Sequence, residues 1–277
     1  MTSRTVAPDP ATQLRPAQSE LLARVDGIVH GVSHRVAGLG RADGNIGLGS
    51  PRDKQDAWEM RKLWCAAIGA DPETIVTAGQ VHGNDILRVE AEDAGKGSSP
   101  DRPHLGVGDG LMTDAPGVTL LTLHADCQPI LLVDPDRPAV AAVHSGWRGT
   151  VANIAGKAVA AMTMAYGSRP ERMLAYLGPA IGGCCNEIGP EVTAAWRTLA
   201  ASLEVDPEPA ITRPSTREHF DVPEANRRLL LAAGLMDEHI DVSPECTRCD
   251  TDRWFSHRGH GPNAGREGAF IAIRPVS

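Results

Sequence analysis

The chain has 277 residues, a formal net charge of -8, 42% apolar residues and 22% charged residues. That length supports a large apolar core without disulfides. The acidic balance excludes general binding to nucleic acid, which needs a basic surface to displace phosphate counterions.

Residues 1–20 are polar and proline-containing and read as a flexible arm preceding one domain over 21–277. They hold no apolar run of signal-peptide length, and no stretch approaches the roughly 18 apolar residues of a membrane helix. The expected location is a reducing cytoplasm, where Cys65, Cys127, Cys184, Cys185, Cys246 and Cys249 stay as thiols. Aromatic residues are only 4%, so Val, Leu, Ile and Ala must supply the core.

Gly38 to Arg52 carries five glycines and reads as an irregular loop. Lys54 to Ile68 reads as a helix stopped by Gly69. Thr74 to Val81 and Asp85 to Val89 read as strands flanking His82-Gly83-Asn84. Residues 93–109, rich in Gly, Ser and Pro, read as an exposed loop. Val118 to Leu123 and Ile130 to Val133 are strong strand patterns enclosing His124-Ala-Asp-Cys127. Ala139 to Val143 leads into His144, and an Ala-rich helix is expected from about Val151 to Tyr166. Met173 to Leu177 is a further strand, Pro190 to Leu203 and Val222 to Ala233 are helical, and Ala269 to Ile273 is a last strand. Glu204 to Pro214 is the best linker candidate. Alternating short apolar runs and Ala-rich helices predict an α/β fold: a single domain with a central mixed β-sheet core flanked by helices.

Three metal-ligating side chains fall at expected strand ends. His82 and His144 offer imidazole, and Cys127 offers thiolate. Such a set suits Zn²⁺ and leaves a fourth position for water or substrate. The gaps of 45 and 17 residues match no compact zinc motif, so spacing alone argues little. A rival reading makes Cys127 a nucleophile with His144 or His82 as its base. Cys246-Thr-Arg-Cys249 could join Cys184-Cys185 in a four-sulfur zinc site. Adjacent cysteines do not readily share one tetrahedral ion, so packing is the favoured reading. Ser145-Gly-Trp-Arg-Gly149 precedes a helix. Its free N–H groups and the forked donor of Arg148 suit an anion beside His144.

At this point the motifs resemble a known family. Gly79-Gln-Val-His82-Gly, Ala125-Asp-Cys127-Gln-Pro-Ile-Leu-Leu, Ala141-Ala-Val-His144-Ser-Gly-Trp-Arg-Gly149 and Leu177-Gly-Pro-Ala-Ile-Gly-Gly-Cys-Cys185 are similar to the YfiH-type laccase-domain family. Asn45-Ile-Gly-Leu-Gly49, Asn226-Arg-Arg, Cys246-Thr-Arg-Cys249-Asp, Trp254-Phe-Ser-His-Arg258 and Gly265-Arg-Glu-Gly-Ala-Phe-Ile follow the same pattern. The resemblance runs from about His30 to Ile273.

The resemblance implies an α/β fold and one metal centre, usually zinc, on His82, Cys127 and His144, with copper as the other candidate. It implies phosphorolysis of adenosine, inosine, guanosine and methylthioadenosine, with adenosine deamination. Expected partners are therefore purine nucleosides and phosphate. A copper-dependent polyphenol oxidase is one alternative. Another is a peptidoglycan-precursor editing factor with a Cys–His hydrolase site acting on a cell-wall precursor. The expected substrate-binding residues are Asn45, Arg61, Arg148 and Gly149. His124 stands where the family usually has Thr, and is expected to serve as a fourth ligand or as an acid/base. No membrane partner is expected, and the expected state is a monomer.

Overall fold

The computed structural model describes residues 14–49, 51–214 and 216–275. In chain order the strands and α-helices are β1 (Ile28–Val32), α1 (Lys54–Ile68), β2 (Ile75–Val76), β3 (Ile86–Arg88), β4 (Gly110–Thr113), β5 (Thr119–His124), β6 (Gln128–Asp134) and β7 (Ala139–Ser145). There follow α2 (Trp147–Val151), α3 (Ile154–Tyr166), β8 (Leu174–Leu177), α4 (Pro190–Ser202), β9 (Ile211–Thr212) and β10 (His219–Phe220). The last are α5 (Val222–Ala232), β11 (Ile240–Val242), α6 (His257–His260) and β12 (Glu267–Ile273).

The mixed α/β expectation holds, but the centre is two packed sheets rather than one. A four-stranded sheet runs β1-β12-β5-β2 and a six-stranded sheet runs β11-β8-β6-β7-β4-β3. Both are mixed: β12 is antiparallel to β1 and β5, whereas β2 is parallel to β5. A two-stranded ladder of β9 and β10 stands apart.

The layering follows from strands that are apolar on both faces. On β6, Leu131 and Val133 point into the core between the sheets, where Leu120, Ala269 and Ile271 meet them. Ile130 and Leu132 point the other way, onto Ala155, Val159, Trp196 and Leu229 of α3, α4 and α5. On β12, Phe270 and Ala272 pack under Met60 and Trp64 of α1. The order of layers is helix, sheet, sheet, helices. An outer helix covers each sheet and the sheets cover one another, so every residue of β6, β7 and β12 is buried.

Local signals explain several boundaries. Asp53 caps α1 by accepting from the N–H groups of Gln55 and Asp56, and Gly69 ends it at φ 84°. The Trp-Arg-Gly segment is not a turn leading into one long helix. It is α2 itself, and Asn153 at φ 57° separates it from α3.

Two expectations need correction. Residues 1–13 of the expected arm lie outside the described residues, but in 14–20 the side chains of Leu14, Ala17 and Ser19 are buried while Arg15, Gln18 and Glu20 are exposed. Ala17 pairs with Val32 through backbone bonds of 2.9 and 2.8 Å. The 93–109 segment is not simply exposed. Arg61 from α1 reaches under it and donates to the carbonyls of Gly97 and Ser98 at 2.7 and 2.8 Å, which buries Ser98.

Candidate metal centre

His82, Cys127 and His144 converge where the ends of the two sheets meet. Their ligand atoms all lie within 4.8 Å of one another. His144 sits on β7 and is buried, while His82 is exposed in the segment between β2 and β3. Cys127 lies in the three-residue connection by which the chain leaves β5 for β6, and so passes from one sheet to the other. The backbone is strained beside the site: His82 has φ 60° and Asp126 has φ 81°, values that non-glycine residues seldom adopt.

Asp109 organises this cluster. It is fully buried, and its Oδ1 accepts from His144 Nδ1 at 2.9 Å. That bond leaves His144 Nε2 to face a metal, the arrangement by which carboxylates orient histidine ligands. The same carboxylate accepts from the backbone N–H groups of Val81, His82 and Gly83 at 3.1, 2.9 and 2.7 Å. One side chain thus orients one histidine ligand and holds the strained turn bearing the other. Burial opposes its charge, but His144 and these N–H groups hold its pKa down at about 2.

The electrostatics favour a thiolate. Burial pushes the Cys127 thiol up, yet the neighbouring His144 and His82 bring it down to about 6. Burial likewise opposes charge on His144, but Cys127 and Asp109 raise its pKa to about 9. Both shifts favour the charged forms, thiolate on Cys127 and imidazolium on His144. A cation that displaces the imidazole proton finds a ready soft donor.

Gly146 makes room for the cluster. A Cβ at this position would lie 2.8 Å from Cys127 Sγ and 3.1 Å from His82 Cδ2. Its backbone, at φ -80° and ψ 172°, is ordinary, so the requirement for glycine is the space itself.

His124 is not brought into the ligand set. Its Nδ1 lies 3.1 Å from the Cys127 carbonyl and its Nε2 2.8 Å from Thr122 Oγ1. A neutral ring satisfies both bonds by donating from Nδ1 and accepting at Nε2. Burial and nearby His144 hold its pKa well below the ordinary value. Its ring packs 5.3 Å from that of His144. In this geometry both ring nitrogens of His124 are engaged by Cys127 and Thr122, and it falls outside the cluster of His82, Cys127 and His144.

The cluster opens into a cavity of about 980 Å³. Its lining includes Arg52, Lys54, Arg61, Arg102, Arg148, Arg258 and Arg266, and the only carboxylate among the described lining residues is Asp126. An acidic protein therefore keeps a cationic pocket beside its candidate metal centre. Arg61 is fully buried in its wall, and its Nη2 has no hydrogen-bond partner. Arg148 stacks over the Trp147 ring at 4.4 Å and makes no ion pair among the described residues. By contrast Asn45 does not line this cavity. It spends its amide on Gly47 and on the backbone N–H of Arg266, and so shapes the wall from behind. Gly149 is buried within α2, where a Cβ would approach the Gly83 carbonyl at 3.0 Å.

Sequence reasoning missed Asp109 as the organiser of the site, because it lies 35 residues before His144 and beside no ligand. It also missed Arg52 and Arg258 as wall residues. Arg266 stood in a recognised motif, but nothing in the motif showed where it points.

Two histidines and one cysteine that could hold a metal ion thus open onto a cationic pocket in a fold of two packed mixed sheets. The profile of the family described as multi-copper polyphenol oxidoreductase laccase matches residues 29–274, and the chain belongs to that family. It is 37% identical over 231 residues to the purine nucleoside phosphorylase YlmD of Geobacillus stearothermophilus, covering 83% of each chain. It is 34% identical over 209 residues to the adenosine deaminase RL5 of an unknown prokaryotic organism, covering 75% of this chain and 78% of the other. The crystal structure of YlmD from Geobacillus stearothermophilus superposes with a TM-score of 0.83, covering 91% of this chain and 93% of that one.

Proposed function

We propose that this protein is a zinc-dependent purine nucleoside phosphorylase, acting on adenosine, inosine, guanosine and methylthioadenosine, with adenosine deaminase activity. The observation that carries this reading is the juxtaposition of a three-ligand centre with a cationic cavity of about 980 Å³. That volume lies at the upper end of small-molecule sites, in keeping with a nucleoside and a phosphate bound together. The names borne by the relatives point to the same chemistry.

The donor set fits zinc. Two imidazoles and one thiolate leave one coordination position open, as catalytic zinc sites do. His82, Cys127 and His144 would hold the ion, which would supply Lewis acidity toward a substrate oxygen or ring nitrogen. The rest belongs to this chain's own residues. Arg148, in the cavity lining and stacked over Trp147, presents a forked donor for a phosphate. Phosphorolysis forms a bond from phosphate oxygen to the anomeric carbon and breaks the glycosidic C–N bond. The purine leaves with the electron pair and takes up a proton. Asp126 is fixed by Thr247 Oγ1 and the Arg258 N–H at 2.7 and 2.6 Å, so it orients the wall rather than supplying that proton.

Incubation of the zinc-loaded protein with adenosine and phosphate tests the reading. Adenine with ribose 1-phosphate reports phosphorolysis, and inosine reports deamination. Arg148→Ala is expected to raise the KM for phosphate by about tenfold. Absence of all three products overturns the proposal.

The thiolate–imidazolium pair supports a second reading, a Cys–His hydrolase acting on a cell-wall precursor. It predicts activity in chelator-treated protein, which zinc then inhibits. Copper could occupy the same donors. A multicopper phenol oxidase needs several adjoining copper centres. Among the described residues the one other ligand cluster is made of cysteines alone.

A further inference from the structure

Away from the cavity, Cys184, Cys185, Cys246 and Cys249 bring their four sulfur atoms within 4.8 Å of one another. Adjacency of Cys184 and Cys185 argues from sequence against a shared ion, and the fold removes that objection. Residues 183–185 form a tight turn closed by bonds from the N–H groups of Cys185 and Asn186 to the Gly182 carbonyl, 3.0 and 3.1 Å long. The turn brings both sulfurs toward Cys249, whose Sγ lies 3.6 Å from that of Cys184 and 3.4 Å from that of Cys185. A Zn–S bond of about 2.3 Å in a tetrahedron sets sulfur atoms about 3.8 Å apart.

Packing does not account for the cluster, because Cys184 and Cys249 are exposed and all four thiols are free. The compactness also argues for one ion. A polynuclear iron–sulfur cluster distributes its cysteines over several metal atoms. The C-x-x-C half is shaped to bind: Gly182 N–H donates to Cys246 Sγ at 3.3 Å, and Cys249 N–H donates to the Cys246 carbonyl at 3.1 Å.

We propose that these four cysteines hold a second zinc ion in a closed, structural site, a proposal independent of the substrate assigned above. Loading replaces four S–H protons by four Zn–S bonds and releases the protons to solvent, with no change of oxidation state. The ion joins the connection after β8 to the connection after β11. Those two segments also grip the residue before Cys127: Ile181 N–H donates to the Asp126 carbonyl at 2.9 Å, and Thr247 Oγ1 donates to its carboxylate at 2.7 Å. The second ion thus sits behind the loop that presents the thiolate ligand of the first.

Metal analysis of the full-length protein purified under reducing conditions tests this. About two equivalents of zinc per chain are expected, falling to about one in Cys127→Ser and to about one in Cys246→Ser/Cys249→Ser. Should the double variant fail to fold, cobalt substitution of the wild type gives the answer independently. Four thiolates produce far more intense sulfur-to-cobalt charge transfer than the single thiolate of Cys127, and that band must persist in Cys127→Ser. A single zinc equivalent that Cys127→Ser abolishes overturns the proposal, as does iron bound at the four cysteines or a cobalt spectrum with one thiolate.

Discussion

The Asp109 carboxylate bonds His144 Nδ1 at 2.9 Å while accepting from the His82 N–H at the same distance. One buried acid therefore governs two of the three candidate metal ligands. Removing a carboxylate that orients a histidine ligand typically weakens metal binding 10–100-fold. Asp109→Ala is expected to reduce zinc affinity by about that factor, measured by competition with a chromophoric chelator. An unchanged affinity would show that the cluster assembles without it.

Gly146 makes a second test because its backbone is unstrained. Gly146→Ala introduces no forbidden φ, but its methyl group would crowd Cys127 Sγ. A close-packed interior has no slack for it except movement of the ligands. Zinc affinity should fall on the order of tenfold, with secondary structure by circular dichroism unaltered. Normal zinc binding by this variant would contradict the geometry given for the site.

The Cys127 thiol is held at about 6 by its imidazole neighbours, against burial that pushes it up. A free thiol titrates near 8.5. Alkylation of Cys127 in metal-free protein, followed by peptide mass spectrometry, should therefore already be near its plateau at pH 7. His144→Asn should move the midpoint upward, and zinc should protect the wild type. A midpoint near that of a free thiol would remove the thiolate–imidazolium pair.

His30 offers a pH test remote from the cavity. Burial lowers its pKa to about 4, although its Nε2 accepts from the Ser19 N–H. An unfolded histidine titrates near 6.5. Between these values the unfolded chain binds the extra proton, so stability falls as pH drops from about 6.5 toward 4. It is fully present above that window. A difference of this size is worth about 3 kcal/mol. His30→Gln should lose correspondingly less stability between pH 7 and pH 4.5 in urea titrations. Equal losses in both proteins would exclude His30 as the source.

The sequence by itself determined α1 and the long apolar strands, and it singled out three candidate ligands. The extent of α1 was readable from Asp53, a patterned helix and Gly69, because caps act through neighbours in the chain. The long apolar strands were readable because burial on both faces demands continuous hydrophobicity. His82, Cys127 and His144 stood out by donor type and motif. Only the tertiary structure decided that the strands form two stacked sheets, since residues apolar on both faces do not say which face meets a second sheet. It alone revealed the bond from Asp109 to His144, and it alone brought Cys184 and Cys185 round to Cys249. It also changed the meaning of His124, which satisfies both ring nitrogens on Cys127 and Thr122. Chemical type and local pattern are written along the chain, whereas the partner of a buried polar group is set by which distant segments the core brings together.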